Sequence, residues 1–348
     1  MHGLVFERAG SISYRTDLPE PRIEEPGDAI VAVSHSGLCG SDLHPYAGRE
    51  PARAGVIPGH EAVGAVIAVG PRVSTVTVGT RVIVPFATSC GVCPPCHRGL
   101  TARCERGRLF GWGDPDDPGS PALQGAQAQF VRVPLADGTL VRIPDDLDPD
   151  VALLLSDNLP TAWEAVQRAG PVPDEPLIVV GLGSVGLCAI IAARSLGASP
   201  VIGIDPVAER RALATRLGAS VVADPGETDR IDIAPAVVEA AGTAPAQRTA
   251  ADLVRPGGTL SIISVQTTTS FALSPIEAYD RNLTLRAGRA SARRTLDDLL
   301  PRVLSGAVSV PAAQIITHRN APLSEGPALF ERFAARADGL IKVSFAPH

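Results

Sequence analysis

The chain has 348 residues, 45% hydrophobic and 20% charged, a balance that excludes a disordered or fibrous protein and leaves room for two domains. A formal net charge of -6 supplies no basic footprint, so neither nucleic acid nor an anionic membrane surface is an expected partner. The opening MHGLVFERAG puts charge and glycine where a secretory leader needs an apolar core, which makes the cytoplasm the expected compartment.

Residues 1–150 are rich in valine, proline and glycine. Short strand-like runs such as DAIVAVSH and TRVIVPF alternate there with turn residues, so a β-rich domain is expected. Within it, GLCGSDLH brings together the thiol of Cys39, the hydroxyl of Ser41, the carboxylate of Asp42 and the imidazole of His44. PGHEAVG sets His60 and Glu61 between glycines. Singly, a cysteine is more often a core hydrophobe and a histidine a satisfied polar group. Together, Cys39, His60 and Glu61 offer a soft, a borderline and a carboxylate donor, the set from which a catalytic zinc site with one open position is built.

Next comes SCGVCPPCHRGLTARC, which holds Cys90, Cys93, Cys96 and Cys104, four of the six cysteines in the chain. A reducing compartment disfavours disulfides here. Four thiolates on one loop can close a tetrahedron around zinc, and closely spaced cysteines also hold iron–sulfur clusters. His97 lies inside the loop and is expected at the surface. A site saturated by four sulfurs cannot bind substrate, so the loop reads as a staple and the chemistry belongs elsewhere.

From about residue 150 the text changes to apolar strands alternating with alanine-rich helices, the pattern of βαβ units and a parallel sheet. The uncharged run LIVVGLGSVGLCAIIAA falls short of the roughly 20 residues of a membrane helix. Its glycines explain it better: LIVV is a buried strand, and GLGSVG, with Gly181, Gly183, Ser184, Val185 and Gly186, turns into a helix as a dinucleotide pyrophosphate site does. Asp205 closes the following strand VIGI, where a carboxylate accepts hydrogen bonds from ribose hydroxyls and repels a 2′-phosphate. NAD is therefore expected over NADP. Arg210 and Arg211 could reach a phosphate, but on ERRALATRLG they read as a solvated helix face. Cys188 reads as a packing residue of the first helix.

Taken in this order, GLCGSDLH, GHEAVG, the four-cysteine loop, GLGSVG and Asp205 resemble the zinc-dependent medium-chain dehydrogenase/reductase family, alcohol dehydrogenase type, over essentially the whole chain. The resemblance implies an α/β protein. A GroES-like β-rich catalytic domain is expected from residues 1–150 and 286–348, with a Rossmann doubly wound parallel-sheet domain from residues 151–285 set into it. It implies one structural zinc on the four-cysteine loop and one catalytic zinc on Cys39, His60 and a third ligand. Where the family commonly has a second cysteine, LLLSDNLPTAW carries Asp157. The same replacement occurs in a subgroup resembling glutathione-independent formaldehyde dehydrogenases, which DLVRPGGTL and GRASARRTLDDLL also resemble. Carboxylate oxygen is an ordinary zinc donor, so the site is expected to survive the change; the competing role for Asp157 is an N-cap of the helix that follows.

By the same resemblance, Glu61 can enter the coordination sphere, Asp42 holds the His60 imidazole, Ser41 and His44 relay a proton to solvent, and Thr161 touches the nicotinamide. Phe86 matches a pocket-lining position; Phe110 and Trp112, in LFGWGDPDDPGSP, could wall the same pocket or form small local cores. The expected reaction is hydride transfer between NAD(H) and an alcohol, hydrated aldehyde or carbonyl compound. An NAD-retaining aldehyde dismutase and a non-catalytic zinc-stapled nucleotide sensor are the alternatives. A homodimer or homotetramer joined through the edges of the Rossmann sheets is implied as well.

Overall fold

The computed structural model describes residues 1–50, 54–113, 122–267, 269–336 and 339–348. It divides into two compact units, one of residues 1–157, 291–298 and 315–348, the other of residues 158–290 and 299–314. This division differs from the sequence boundaries at 150 and 285. The helix Pro149–Ser156 buries Leu153, Leu154 and Leu155 completely and packs against strands of the first unit, so the change of unit falls after it. Residues 299–314 also rejoin the second unit.

The first unit begins with the strands β1 (Gly3–Arg8) and β2 (Ser11–Arg15), which pair antiparallel. Its larger sheet contains β3 (Ala29–Leu38), β4 (Ala62–Val69), β5 (Arg81–Val84), β6 (Phe130–Val133) and β7 (Val141–Arg142). Valine and alanine of β3 to β6 alternate into a core with Phe110, Leu123 and Leu140, as expected of antiparallel strands that bury one face.

The second unit is built on six strands: β8 (Leu177–Val180), β9 (Val201–Ile204), β10 (Val221–Ala223), β11 (Ala234–Glu239), β12 (Val254–Ile262) and β13 (Thr284–Ala287). All pairs are parallel, in the order β10-β9-β8-β11-β12-β13. The strands LIVV, VIGI and APAVVE are buried at every residue, because a central parallel strand is covered on both faces and reads as a continuous apolar run. Strand order reverses between β8 and β11, and a doubly wound sheet binds its ligand at the carboxyl ends of the strands at such a point.

The chain closes with β14 (His318–Ala321) and β15 (Val343–Phe345); β15 adds to the first unit beside β3 and carries Lys342 in on its leading end. Among the described residues, no helix is long and apolar enough to cross a membrane.

Candidate functional site

The ligand atoms of Cys39, His60, Glu61 and Asp157 all lie within 4.8 Å of one another, and all four residues are buried. Each arrives for a local reason. Cys39 ends the run out of β3 and precedes the tight turn Gly40–Asp42, where the Asp42 Oδ2 atom accepts the Cys39 backbone N–H at 2.9 Å. His60 and Glu61 sit immediately before β4. Gly37 is required beside them, since a Cβ there would fall 1.8 Å from the Glu61 Oε2 atom. Asp157 is the residue at which the helix Pro149–Ser156 ends, with φ -150° and ψ -64°, and its Oδ2 atom lies 3.7 Å from both Cys39 Sγ and His60 Nε2. That placement puts Asp157 among the four residues whose ligand atoms could hold a metal ion.

Asp42 orients the imidazole. Its Oδ1 atom lies 3.1 Å from His60 Nδ1, so the proton belongs on Nδ1 and Nε2 is left to face Cys39 and Asp157. Gln127 Nε2 donates to the Gly37 carbonyl at 2.9 Å and approaches Asp42 Oδ2 at 3.4 Å, fixing the carboxylate from behind. Burial opposes charge on His60, but the Asp42 and Asp157 carboxylates outweigh it and raise the imidazole above its ordinary value. Burial raises the Cys39 thiol, and the Glu61 charge adds to that rise. A buried thiol, imidazole and carboxylate crowded in this way are the donor chemistry of zinc.

The structure adds a residue that sequence reasoning missed. Lys342 Nζ donates to Glu61 Oε2, and both side chains are fully buried. Burial raises the Glu61 carboxyl, and the Lys342 charge offsets part of that rise. Nothing in the sequence links the two, which stand 281 residues apart.

Ser41 Oγ lies 3.1 Å from His60 Nε2, at the donor end of the cluster. His44 accepts the Arg49 Nε–H at Nδ1, 3.2 Å away. Burial, helped by the Arg49 charge, lowers the His44 imidazole to about 4, so it is neutral near pH 7. Trp112 stands beside His60, with ring centroids 6.1 Å apart and planes inclined at 70°. Phe86 is buried, and Phe110 is fully buried in the core of the unit, which settles its role as packing. Residues 114–121 of the loop assigned to the pocket with them lie outside the described residues.

The second cluster is compact: the sulfurs of Cys90, Cys93, Cys96 and Cys104 lie within 4.8 Å of one another. Gly91 and Gly99 take φ +74° and +81°, which lets the loop turn twice around the sulfurs. A backbone hydrogen bond from Glu105 lowers the Cys93 thiol to about 6, whereas burial pushes Cys96 up to about 12. His97 is exposed and lies outside the four-sulfur set.

In the second unit, Gly181 ends β8 at φ +92°, and Gly183 precedes the helix Ser184–Ser195. A Cβ on Gly186 would meet the Gly181 carbonyl oxygen at 1.8 Å, whereas one on Gly183 would enter open space, the cradle a pyrophosphate needs. Asp205 is buried; its Oδ2 accepts the Leu182 N–H at 2.7 Å and its Oδ1 the Val207 N–H at 2.8 Å. The carboxylate thus ties the end of β9 to the glycine turn. Arg210 and Arg211 are not the solvated face expected of them. Arg210 Nη1 lies 3.8 Å from Asp205 Oδ2, and Arg211 Nη1 donates to the Asp205 carbonyl at 2.7 Å and to Asp224 at 3.2 Å. Thr161 and Cys188 are buried. Glu239, a further acid missed in the sequence, ends β11 and accepts the Ala241 and Gly242 N–H groups at 2.8 and 2.7 Å. Its only sequence signal was an acid at the close of an apolar strand.

A doubly wound unit and a β-rich unit holding two zinc-type donor clusters define a zinc-binding dehydrogenase, and comparison with known proteins agrees. Residues 25–145 match the model of the alcohol dehydrogenase GroES-like domain, and residues 184–305 that of the zinc-binding dehydrogenase. A probable zinc-binding alcohol dehydrogenase of Mycobacterium tuberculosis is 36% identical over 100% of this chain and 89% of its own. The solved alcohol dehydrogenase TADH from Thermus sp. ATN1 superposes with a TM-score of 0.91 at 35% identity, covering 99% of both chains. A putative zinc-binding dehydrogenase from Sinorhizobium meliloti, solved bound to NADP, gives 0.83 at 28% identity over 99% of each chain. The chain belongs to the zinc-type medium-chain alcohol dehydrogenase family and is an oxidoreductase of that type.

Proposed function

We propose that the protein oxidises a small alcohol, or reduces the matching carbonyl compound, with NAD(H) at the Cys39, His60 and Asp157 cluster. The observation that carries this reading is the buried thiol–imidazole–carboxylate set with its imidazole oriented by Asp42 and a hydroxyl, Ser41 Oγ, 3.1 Å from His60 Nε2. Asp157 as third donor supports membership of the subgroup resembling glutathione-independent formaldehyde dehydrogenases.

When bound, zinc supplies Lewis acidity and the dinucleotide accepts or returns the hydride. The protein's own side chains do the rest. Asp42 keeps the His60 proton on Nδ1, so that Nε2 stays a donor. Ser41 would take a proton from the substrate hydroxyl at Oγ and hand on its own. His44 would stand at the outer end of that relay, where its Nδ1 lone pair serves only once the Arg49 Nε–H has moved away. The glycine cradle and the helix beginning at Ser184 would hold the pyrophosphate, Thr161 would border the nicotinamide, and Phe86 and Trp112 would flank the substrate. Asp205 supports NAD over NADP, since a 2′-phosphate brought near its carboxylate, which two backbone N–H groups hold, would add like charge.

The exposed edge strand β13 supports self-association through the parallel sheets, as a homodimer or homotetramer. Six free cysteines support residence in the reducing cytoplasm.

The test is NADH formation from NAD with a panel of small primary and secondary alcohols and aldehydes, alongside a chelator-treated sample and a parallel series with NADP. We expect turnover that is lost on chelation while the fold persists, with NAD preferred. Equal efficiency with both cofactors would end the NAD preference. Acid and alcohol formed together from one aldehyde without net NADH would replace the dehydrogenase reading by dismutation.

A further inference from the structure

We infer that Glu50 is a specificity-determining positioning residue: its carboxylate holds Trp112 as an apolar wall beside His60, which selects apolar alcohols over those bearing extra hydroxyls. This inference deepens the proposed function and rests on reading the Cys39, His60 and Asp157 cluster as the substrate site.

An indole has one polar atom, the Nε1–H, and it only donates. In Trp112 that donor is committed to Glu50 Oε2 at 3.1 Å. The ring stands against His60 with its plane inclined at 70°. The His60 nitrogens are themselves engaged, Nδ1 by Asp42 and Nε2 by Ser41 and the donor cluster. What Trp112 presents beside the cluster is therefore hydrocarbon.

The ring is fixed from two directions. On its backbone side, the Leu123 N–H donates to the Trp112 carbonyl at 3.0 Å and the Gly111 N–H to the Leu123 carbonyl at 2.9 Å, which ties this stretch to the core residues Phe110 and Leu123. On its side-chain side, Glu50 is the residue that holds the indole nitrogen among the described residues. Glu50 is itself set by the turn in which the His44 carbonyl accepts the Arg49 and Glu50 N–H groups at 2.9 and 3.3 Å. One short turn thus carries both the proposed relay histidine and the clamp on the pocket wall.

A hydroxyl buried against such a wall loses its water partners and gains none. A hydrophobic wall rejects one added hydroxyl by at most about 100-fold, so discrimination of about tenfold or more is expected here. Glu50→Ala frees the indole to turn its N–H toward the pocket and should erase that discrimination. Glu50→Gln keeps an oxygen acceptor for the indole and should preserve it.

The experiment compares wild type, Glu50→Ala, Glu50→Gln and Trp112→Ala, each full length. The ratio of kcat/KM for 1-propanol and 1,3-propanediol is measured with NAD. In parallel, cobalt-substituted samples are titrated with the same two alcohols, following the visible cobalt absorption, a readout of ligand entry that needs no turnover. We expect wild type and Glu50→Gln to favour 1-propanol by about tenfold in both assays, and Glu50→Ala and Trp112→Ala to bring the ratio near one. A ratio unchanged in Glu50→Ala, or no preference in wild type, overturns the proposal. If no variant turns over either alcohol, the dehydrogenase reading fails by itself, and the cobalt titration still decides the role of Glu50.

Discussion

Two donor clusters occupy the first unit, and they are assembled in opposite ways. Cys90, Cys93, Cys96 and Cys104 come from a single loop, present four like atoms and leave no place for anything else. Cys39, His60, Glu61 and Asp157 come from three separate stretches of chain, mix sulfur, nitrogen and oxygen, and have a hydroxyl and a buried ammonium at their margin. A closed set of like ligands can hold the chain together; a mixed set with a neighbouring hydroxyl can also move a proton. Sulfur content alone does not mark the reacting centre.

The contrast can be broken at each cluster. Cys96→Ser should act on folding: a metal bound only by the folded loop stabilises by its binding energy, so its loss should cost about 5 kcal/mol or more, read as a fall in Tm and in zinc content. Lys342→Met tests the other cluster. It strands the Glu61 carboxylate in the interior and should cost about 3–5 kcal/mol, and the double variant Lys342→Met with Glu61→Gln should regain most of that in a urea titration. Asp42→Asn leaves packing almost intact but weakens the hold on the His60 tautomer. Zinc affinity at the mixed cluster should fall about 10- to 100-fold in a chelator competition, with the loop zinc unaffected.

The smallest effect concerns pH. His44 sits at about 4 in the folded chain against 6.5 unfolded, so the unfolded chain takes up the proton first as pH falls. The associated stabilisation is complete above 6.5 and is lost as pH falls toward 4. His44→Gln should therefore flatten the dependence of Tm on pH within that window, and an unchanged slope would contradict the burial of this imidazole.

What was legible in the sequence follows the same division. The cysteine loop and GLGSVG could be read directly because their geometry is local: a few residues carry every donor or every glycine the turn requires. Cys39, His60 and Glu61 could be grouped by their donor chemistry, but Asp157 could be joined to them only through resemblance to a family, since no spacing along the chain shows that they meet. Lys342 was not legible at all, because it reaches Glu61 only when β15 pairs with β3. The clamp of Glu50 on Trp112 is equally non-local, spanning 62 residues. The first unit runs on to Asp157 rather than stopping near residue 150, because the apolar helix Pro149–Ser156 reads like one more helix of the βαβ region and only its packing assigns it to the first unit.

The most direct measurement is the zinc count and NAD-dependent turnover of Cys39→Ala, beside wild type at matched fold by circular dichroism. The account predicts two zinc ions per chain in wild type, and in the variant one retained zinc, an intact fold and turnover lower by about 1,000-fold or more. A variant that keeps both ions and its activity, or that unfolds as Cys96→Ser does, would contradict the assignment of holding to one cluster and chemistry to the other.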